Sequence, residues 1–342
     1  MKSIVFEAPH RISVRNTSIP EIRDNDVLIR IESAAICNAT DLHFLKGEIP
    51  EIEYPLPPGK PGHECSGEVV EVGNNVDKTH VGERVVPGPL YALPCGICPY
   101  CIAGKQELCE DPKEIDLAYS EYLAIPVRYC YRLPENVPYD EAALIDLLAC
   151  AIHGMKRAEF SVGESVVIIG QGPAGLLLTQ LSKLAGVDQL VACDIQESRL
   201  VMSRKLGADY TVNASKENLS ERVSDLSGQK GFDVAIDAVG TPIVAAQAIK
   251  TIKPGGRLLV FGFHLKPACI DMAQVFSKEL EIKASFRTVG ELDYRLAIDL
   301  ASSEKIDLKT LITHVMPLEQ LQQALKLIDK GAEDVVKVIL NP

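Results

Sequence analysis

The chain has 342 residues, 46% of them hydrophobic and 24% charged, with a formal net charge of −12. That length allows two domains with cores of their own. The acidic balance counts against nonspecific binding to nucleic acid or to an anionic membrane surface, and no apolar run approaches the roughly 18–20 residues of a membrane span.

The opening stretch, "MKSIVFEAPHRISV", reads as a strand and a turn. It lacks the apolar region of a signal peptide, so the cytoplasm is the expected location. Up to about residue 145, short β-type runs alternate with Gly/Pro turns, as in "VLIRIESAAI", "SGEVVEVG" and "GERVVPG". Among these runs lie "AAICNATDLHFLKG" and "PGHECSG". Cys37, His63 and Glu64 there offer sulfur, nitrogen and oxygen donors, a mixture that suits zinc with an open coordination position. Singly, Cys37 also reads as a small core residue and His63 as a satisfied turn histidine.

Next comes "CGICPYCIAGKQELC", which spaces Cys95, Cys98, Cys101 and Cys109 as C-x2-C-x2-C-x7-C. Cytoplasmic thiols stay reduced. Four thiolates at this spacing can surround one tetrahedral zinc at about 2.3 Å each, and the proline and glycine suit the turns such wrapping needs. An iron–sulfur cluster is the main competitor. A zinc with four protein ligands has no open position and is structural, so the chemistry is expected elsewhere. In "LIDLLACAIHG" an acid, Asp146, sits inside an apolar run. A carboxylate buried there calls for a partner or a metal; a helix cap is the plainer reading.

Beyond this point the pattern changes. "ESVVIIG" and "QLVACD" are continuous apolar runs, as expected of strands buried on both faces. "PAGLLLTQLSKLAG" and "SRLVMSRKLGA" have helical periodicity. "DYTVN", "FDVAIDAVG", "GRLLVFGF" and "EIKASF" supply further strands. This alternation predicts a doubly wound parallel sheet. Helices are expected near 291–304 and 317–330, and "EDVVKVIL" reads as a closing strand.

"VVIIGQGPAG" sets Gly170, Gly172 and Gly175 as G-x-G-x-x-G between a strand and a helix that opens at Pro173 and Ala174. In that context Gly170 permits the tight turn, Gly172 a close backbone approach to a pyrophosphate, and Gly175 helix–strand packing. The helix N-terminus offers free N–H groups to the phosphates. Asp194 follows nineteen residues after Gly175, at the end of the next strand. There it would accept from the ribose hydroxyls and repel a 2′-phosphate, which selects NAD over NADP. Arg199 is near the same ribose and reads as a helix-surface charge rather than a phosphate clamp.

Taken together and in this order, the GHE triplet, the cysteine lobe, the acid of "LIDLLACAIHG" and the glycine turn resemble the zinc-dependent medium-chain dehydrogenase/reductase family. That family comprises the alcohol, polyol and threonine dehydrogenases, and the pattern is nearest the sorbitol (polyol) type. The resemblance covers essentially the whole chain. It implies an α/β protein with a β-rich GroES-like catalytic domain over 1–145 and 291–342, including a structural-zinc lobe at 90–112. A Rossmann domain over 146–290 would bind NAD, and the active site would lie in the cleft between the two.

The resemblance further implies two zinc ions per chain. The catalytic ion would be held by Cys37, His63 and Asp146, with Glu64 in or beside its shell. Thr40 and His43 would relay the proton, Asp41 would accept from the free ring nitrogen of His63, and Arg287 would reach the cofactor or substrate side. The expected substrate is a small hydroxylated molecule, a polyol, cyclitol or sugar-derived alcohol, oxidised reversibly to its ketone. Threonine and simple alcohols are the alternatives within the family, and the expected assembly is a homodimer or homotetramer.

Two departures stand out. "CNATDLH" carries one residue more between Cys37 and the hydroxyl of Thr40 than the family's usual motif. Asp146-Leu147 also stands where polyol-type members have Glu-Pro. Cys150 is a rival ligand, but it sits four residues late and reads as packed in a helix. Zinc-free quinone or enoyl reductases lack the GHE set and the cysteine lobe, and a non-enzymatic zinc-binding interaction protein is disfavoured by the acidic balance.

Overall fold

In the computed structural model, which describes residues 1–342 except Ala92, Glu114, Asp116, Val289 and Glu333, the β-type runs and the β/α alternation separate into two units. The first comprises Met1–Ala149, Thr288–Glu304 and Leu308–Pro342; the second comprises Cys150–Arg287 and Lys305–Asp307. The sequence placed these boundaries at 145 and 290. Ala92 of the cysteine lobe and Glu333 at the head of the closing run lie outside the described residues.

In the first unit, β1 (Lys2–Ala8) and β2 (Arg11–Asn16) form an antiparallel pair. β3 (Asp26–Ala35) is followed by α1 (Thr40–Lys46), which the left-handed Gly47 ends. β4 (Glu64–Val72), β5 (Arg84–Pro87), α2 (Pro99–Ile102), β6 (Tyr122–Pro126), β7 (Cys130–Arg132) and α3 (Tyr139–Ala142) follow, and then α4 (Ile145–Ala158), which belongs to the first unit up to Ala149 and to the second from Cys150. β3 is the hub, pairing antiparallel with both β4 and β6. Its alternation sends Val27, Ile29 and Ile31 into one core with Phe6, Leu123 and Ile125.

The second unit realises the alternation. β8 (Ser165–Ile169), α5 (Pro173–Leu184), β9 (Gln189–Asp194), α6 (Glu197–Lys205), β10 (Tyr210–Asn213) and α7 (Leu219–Leu226) lead to β11 (Phe232–Asp237). Then come α8 (Pro242–Thr251), β12 (Ile252–Val260), α9 (Met272–Ser277) and β13 (Glu281–Ala284). The sheet is parallel throughout, in the order β10-β9-β8-β11-β12-β13. The order reverses between β8 and β11, the position where doubly wound sheets bind their ligands. Apolar residues on the central strands are fully buried because helices cover both faces.

The chain then returns to the first unit with α10 (Glu291–Ser302), β14 (Ile312–Pro317), α11 (Leu321–Asp329) and β15 (Lys337–Asn341). β14 has no counterpart in the sequence reading. It is a six-residue strand of mixed burial, parallel to β15, and it sits where a helix was expected to begin. β15 pairs antiparallel with β3 and so brings the return segment against the start of the chain.

Candidate active site and metal centres

Strand register builds the first cluster. Ala35, the last residue of β3, pairs with Glu64 on one side and with Ile339 on the other. Cys37 therefore lies just past the end of β3, with His63 and Glu64 at the head of β4 and Lys337 at the head of β15. The donor atoms of Cys37, His63 and Glu64 lie within 4.8 Å of one another. A thiolate, an imidazole and a carboxylate at that separation fit one zinc ion. Asp146, in the first turn of α4, is not among the three donors. It is 3% exposed, and the Tyr294 hydroxyl donates to its Oδ1.

Each donor has a buried support. His63 Nδ1 lies 2.9 Å from the Pro61 carbonyl. A hydrogen bond there leaves Nε2 for a metal and fixes the ring. This corrects the expectation that Asp41 takes the His63 ring nitrogen. A backbone carbonyl two residues away already occupies it, and Asp41 turns instead to the Cys37 N–H at 2.9 Å and to the Tyr119 hydroxyl. Asp41 and Tyr119 are fully buried, and Asp41 Oδ1 has no hydrogen-bond partner. Asp41 thus steadies the peptide that carries Cys37.

Glu64 meets a cation. Lys337 Nζ approaches Glu64 Oε2 to 2.6 Å, and each side chain is 1% exposed. The ammonium also donates to the Ile36 carbonyl at 2.7 Å. Glu64 Oε2 makes no well-directed hydrogen bond, so the contact is an ion pair that leaves oxygen lone pairs for a metal. Lys337 was missed in the sequence, although a lysine in the apolar run "VVKVIL" is the same signal that drew attention to Asp146.

Burial pushes Asp41 up to about 7 and Asp146 up to about 6, while the nearby His63 charge pulls both down and the Glu64 charge pushes both up. Burial alone would lower His63, but its hydrogen bond to Cys37 and the charges of Cys37, Asp41 and Asp146 hold it well above the usual imidazole range. His63 therefore holds a proton that metal uptake would release.

The relay candidates sit on α1. Thr40 opens the helix. His43 presents Nδ1 to Glu48 Oε2 at 2.7 Å, because the Gly47 turn folds Glu48 back over the helix end.

The cysteine lobe forms the second cluster. Cys95, Cys98, Cys101 and Cys109 bring their sulfurs within 4.8 Å of one another. The pairs Cys95–Cys101 and Cys98–Cys109 stand at 3.9 and 4.0 Å. A zinc tetrahedron with bonds of about 2.3 Å has edges of about 3.8 Å, whereas a disulfide would need about 2.05 Å. Backbone N–H groups of Cys95, Cys98 and Cys101 point at neighbouring sulfurs at 3.3–3.5 Å. N–H donation from Glu110 and Cys101 draws the Cys98 thiol down to about 6. The loop thus favours thiolate, the form that binds metal, at Cys98, whereas burial pushes the Cys101 thiol up to about 12.

In the second unit the glycine turn has the properties its motif requires. Gly170 has φ +95°, and a Cβ there would strike Val239. At Gly172 a Cβ would meet nothing within 4 Å, so the backbone is open to a ligand. At Gly175 it would fall 1.8 Å from the Gly170 carbonyl, so only glycine allows that packing. No side chain caps α5, which leaves its first N–H groups for phosphate.

Asp194 accepts from the Gln171 N–H at 2.6 Å and the Gln196 N–H at 2.9 Å, which ties the ribose end to the glycine turn. Arg199 is not a plain surface charge. It turns back to Asp194 at 3.9 Å, and its Nε is buried without a hydrogen-bond partner. The Arg287 guanidinium lies 4.6 Å over the Phe286 ring. Cys150, half-buried in α4, belongs to the second unit and falls outside the donor cluster.

The profile of a family described as "Alcohol dehydrogenase GroES-like domain" matches residues 23–135, and one described as "Zinc-binding dehydrogenase" matches residues 173–303. D-xylulose reductase A of Aspergillus oryzae is 34% identical over 340 residues, covering 96% of this chain and 94% of that protein. Among solved structures, galactitol-1-phosphate dehydrogenase of Escherichia coli superposes with TM-score 0.90 at 27% identity, covering 100% of both chains. An alcohol dehydrogenase of Escherichia coli CFT073 in complex with NADH does so with TM-score 0.91 at 27% identity, covering 100% of this chain and 99% of that one.

Proposed function

The chain belongs to the zinc-dependent medium-chain dehydrogenases, and on that premise we propose that it interconverts a polyol or sugar-derived secondary alcohol and its ketone, with NAD as hydride carrier. The observation that carries this reading is the Cys37–His63–Glu64 donor set, backed by a buried cation and flanked by the second carboxylate, Asp146. The substrate class is supported by the relatives, which are named for D-xylulose and galactitol-1-phosphate.

Cys37, His63 and Glu64 would hold the catalytic zinc, which would supply Lewis acidity toward the substrate oxygen. Bound NAD would accept the hydride, and the substrate proton is left for this chain to remove. Thr40 and His43 carry that proton outward, and Glu48, 2.7 Å from His43 Nδ1, holds the ring in place. Asp41 and the Pro61 carbonyl keep Cys37 and His63 in place during turnover. The lobe cysteines hold the structural ion. Gly170, Gly172, Pro173, Ala174 and Gly175 cradle the pyrophosphate, Asp194 reads the ribose, and Arg287 lies on the cofactor side. A cytoplasmic homodimer or homotetramer goes with this reading, and the exposed edge strand β13 supports such an assembly.

The test is NAD reduction across pentitols, hexitols, cyclitols, sugar-alcohol phosphates, threonine and simple secondary alcohols. The highest kcat/KM is expected among the polyols. A clear preference for threonine or a simple alcohol would sink the substrate class and leave the family intact.

Cofactor choice gives a second expectation. Asp194→Ser removes the charge that would repel a 2′-phosphate and frees the guanidinium of Arg199 to meet one. The ratio of kcat/KM for NADP over NAD should rise at least about tenfold, the equivalent of one lost charge repulsion. An unchanged ratio would mean that another group reads the ribose.

A further inference from the structure

Asp146 is fixed by a side chain that no motif announces. α10 carries Tyr294, whose hydroxyl donates to Asp146 Oδ1. The phenol is fully buried. Its ring stacks on Tyr131, with centroids 4.9 Å apart and planes 13° from parallel. Its hydroxyl end passes over Gly88, where a Cβ would come within 2.6 Å of the phenolic oxygen. The ring face, the ring edge and the hydroxyl are therefore all confined, and the hydroxyl has Asp146 as its acceptor.

The consequence lies in the metal set. Cys37, His63 and Glu64 form a triangle of donors from which Asp146 is absent. Yet Asp146 is near enough for its charge to act on His63. An unrestrained carboxylate beside a zinc site would join it, since carboxylate oxygen is an ordinary zinc ligand.

We propose that Tyr294 is a positioning residue that holds Asp146 beside the metal donors and out of their set, so that the remaining coordination position stays available to the substrate hydroxyl. The proposal rests on Cys37, His63 and Glu64 being the catalytic-metal donors. A hydroxyl-to-carboxylate bond is charge-assisted, and its loss corresponds to roughly ten- to hundredfold in the balance between the two placements of Asp146. Asp146 is one methylene shorter than glutamate, and a tyrosine that reaches in from α10 suits that shortened arm.

Tyr294→Phe tests this, because the ring, the Tyr131 stack and the fit over Gly88 are all kept. The catalytic ion is exchanged for cobalt(II) with the structural zinc retained, and the visible absorption of the cobalt site is recorded. Tyr294→Phe is expected to keep two metal ions per chain and wild-type NAD affinity. Its cobalt absorption should weaken and shift as an oxygen donor is added, and kcat should fall roughly ten- to hundredfold. Adding Asp146→Ala to that variant should return the absorption toward the wild-type form.

A Tyr294→Phe spectrum and kcat identical to wild type, with two ions bound, would overturn the proposal and leave the metal reading standing. A second arm does not depend on the folding of that variant. Asp146→Ala alone should leave the wild-type cobalt spectrum unchanged, and a changed spectrum would show Asp146 to be a ligand and overturn the proposal. Wild-type protein that binds only the lobe ion would overturn the metal reading and the proposal with it.

Discussion

His63→Ala protein should carry one zinc ion per chain instead of two and show almost no turnover. With the ion bound, His63 would be the neutral nitrogen between two anionic donors. Its ring is held by the Pro61 carbonyl, and no other imidazole lies in the donor set. Loss of the ion forfeits several kcal/mol of transition-state stabilisation, so kcat/KM should fall by at least about 10³-fold. NAD binding should persist, because the glycine turn and Asp194 belong to the other unit. Cys98→Ser is the control in the opposite sense. It should lose the lobe ion and thermal stability, because metal binding at a closed thiolate site contributes folding energy. Metal analysis with differential scanning calorimetry separates the two variants. If His63→Ala kept both ions, or Cys98→Ser kept full stability and both ions, the corresponding assignment would fail.

Lys337→Met should be the most destabilising single change in the first unit. Methionine matches the length of the stem but removes the cation, which leaves the Glu64 carboxylate buried without its counter-ion. Breaking a buried pair from one side costs about 3–5 kcal/mol. Glu64→Gln in the same chain should restore much of the loss, since the remaining partner is then neutral. Urea unfolding of the two single variants and the double variant measures the coupling. The loss should be larger in protein stripped of metal with a chelator, where Lys337 alone offsets the carboxylate. Additive single and double effects would show that the 2.6 Å contact carries no pairing energy.

The parallel sheet was legible in the sequence because strands buried on both faces leave unbroken apolar runs such as "SVVII" and "QLVACD", and because glycine was the only residue that fits at Gly170 and Gly175. β14 was not legible. "ITHVMP" mixes polar and apolar residues without a clean period, and its strand character comes from pairing with β15. Cys37, His63 and Glu64 were legible through the chemistry of their donors. Lys337 shows in the sequence only as a lysine in an apolar run, and its partner does not, since that pairing depends on the register of three strands drawn from distant parts of the chain. Tyr119 and Tyr294 fall in none of the sequence motifs, and only their hydroxyl contacts distinguish them. The partner of His63 is a backbone carbonyl, which no residue type advertises.

The distance along the chain between Lys337 and the Ile36 carbonyl it holds, 301 residues, has a consequence in time. At translation rates of about 5–20 residues per second, roughly 15–60 s separate the synthesis of Cys37 from that of Lys337. The four sulfurs of the lobe are complete within fifteen residues, and the second unit is almost entirely contiguous. Both can therefore finish while the donors at the head of β4 still lack their cation and the strand that covers them. The two metal sites of one chain are thus built on different clocks: the lobe has all its sulfurs early in the life of the nascent chain, and the donor set at Cys37 gains its buried cation only after β15 has been made.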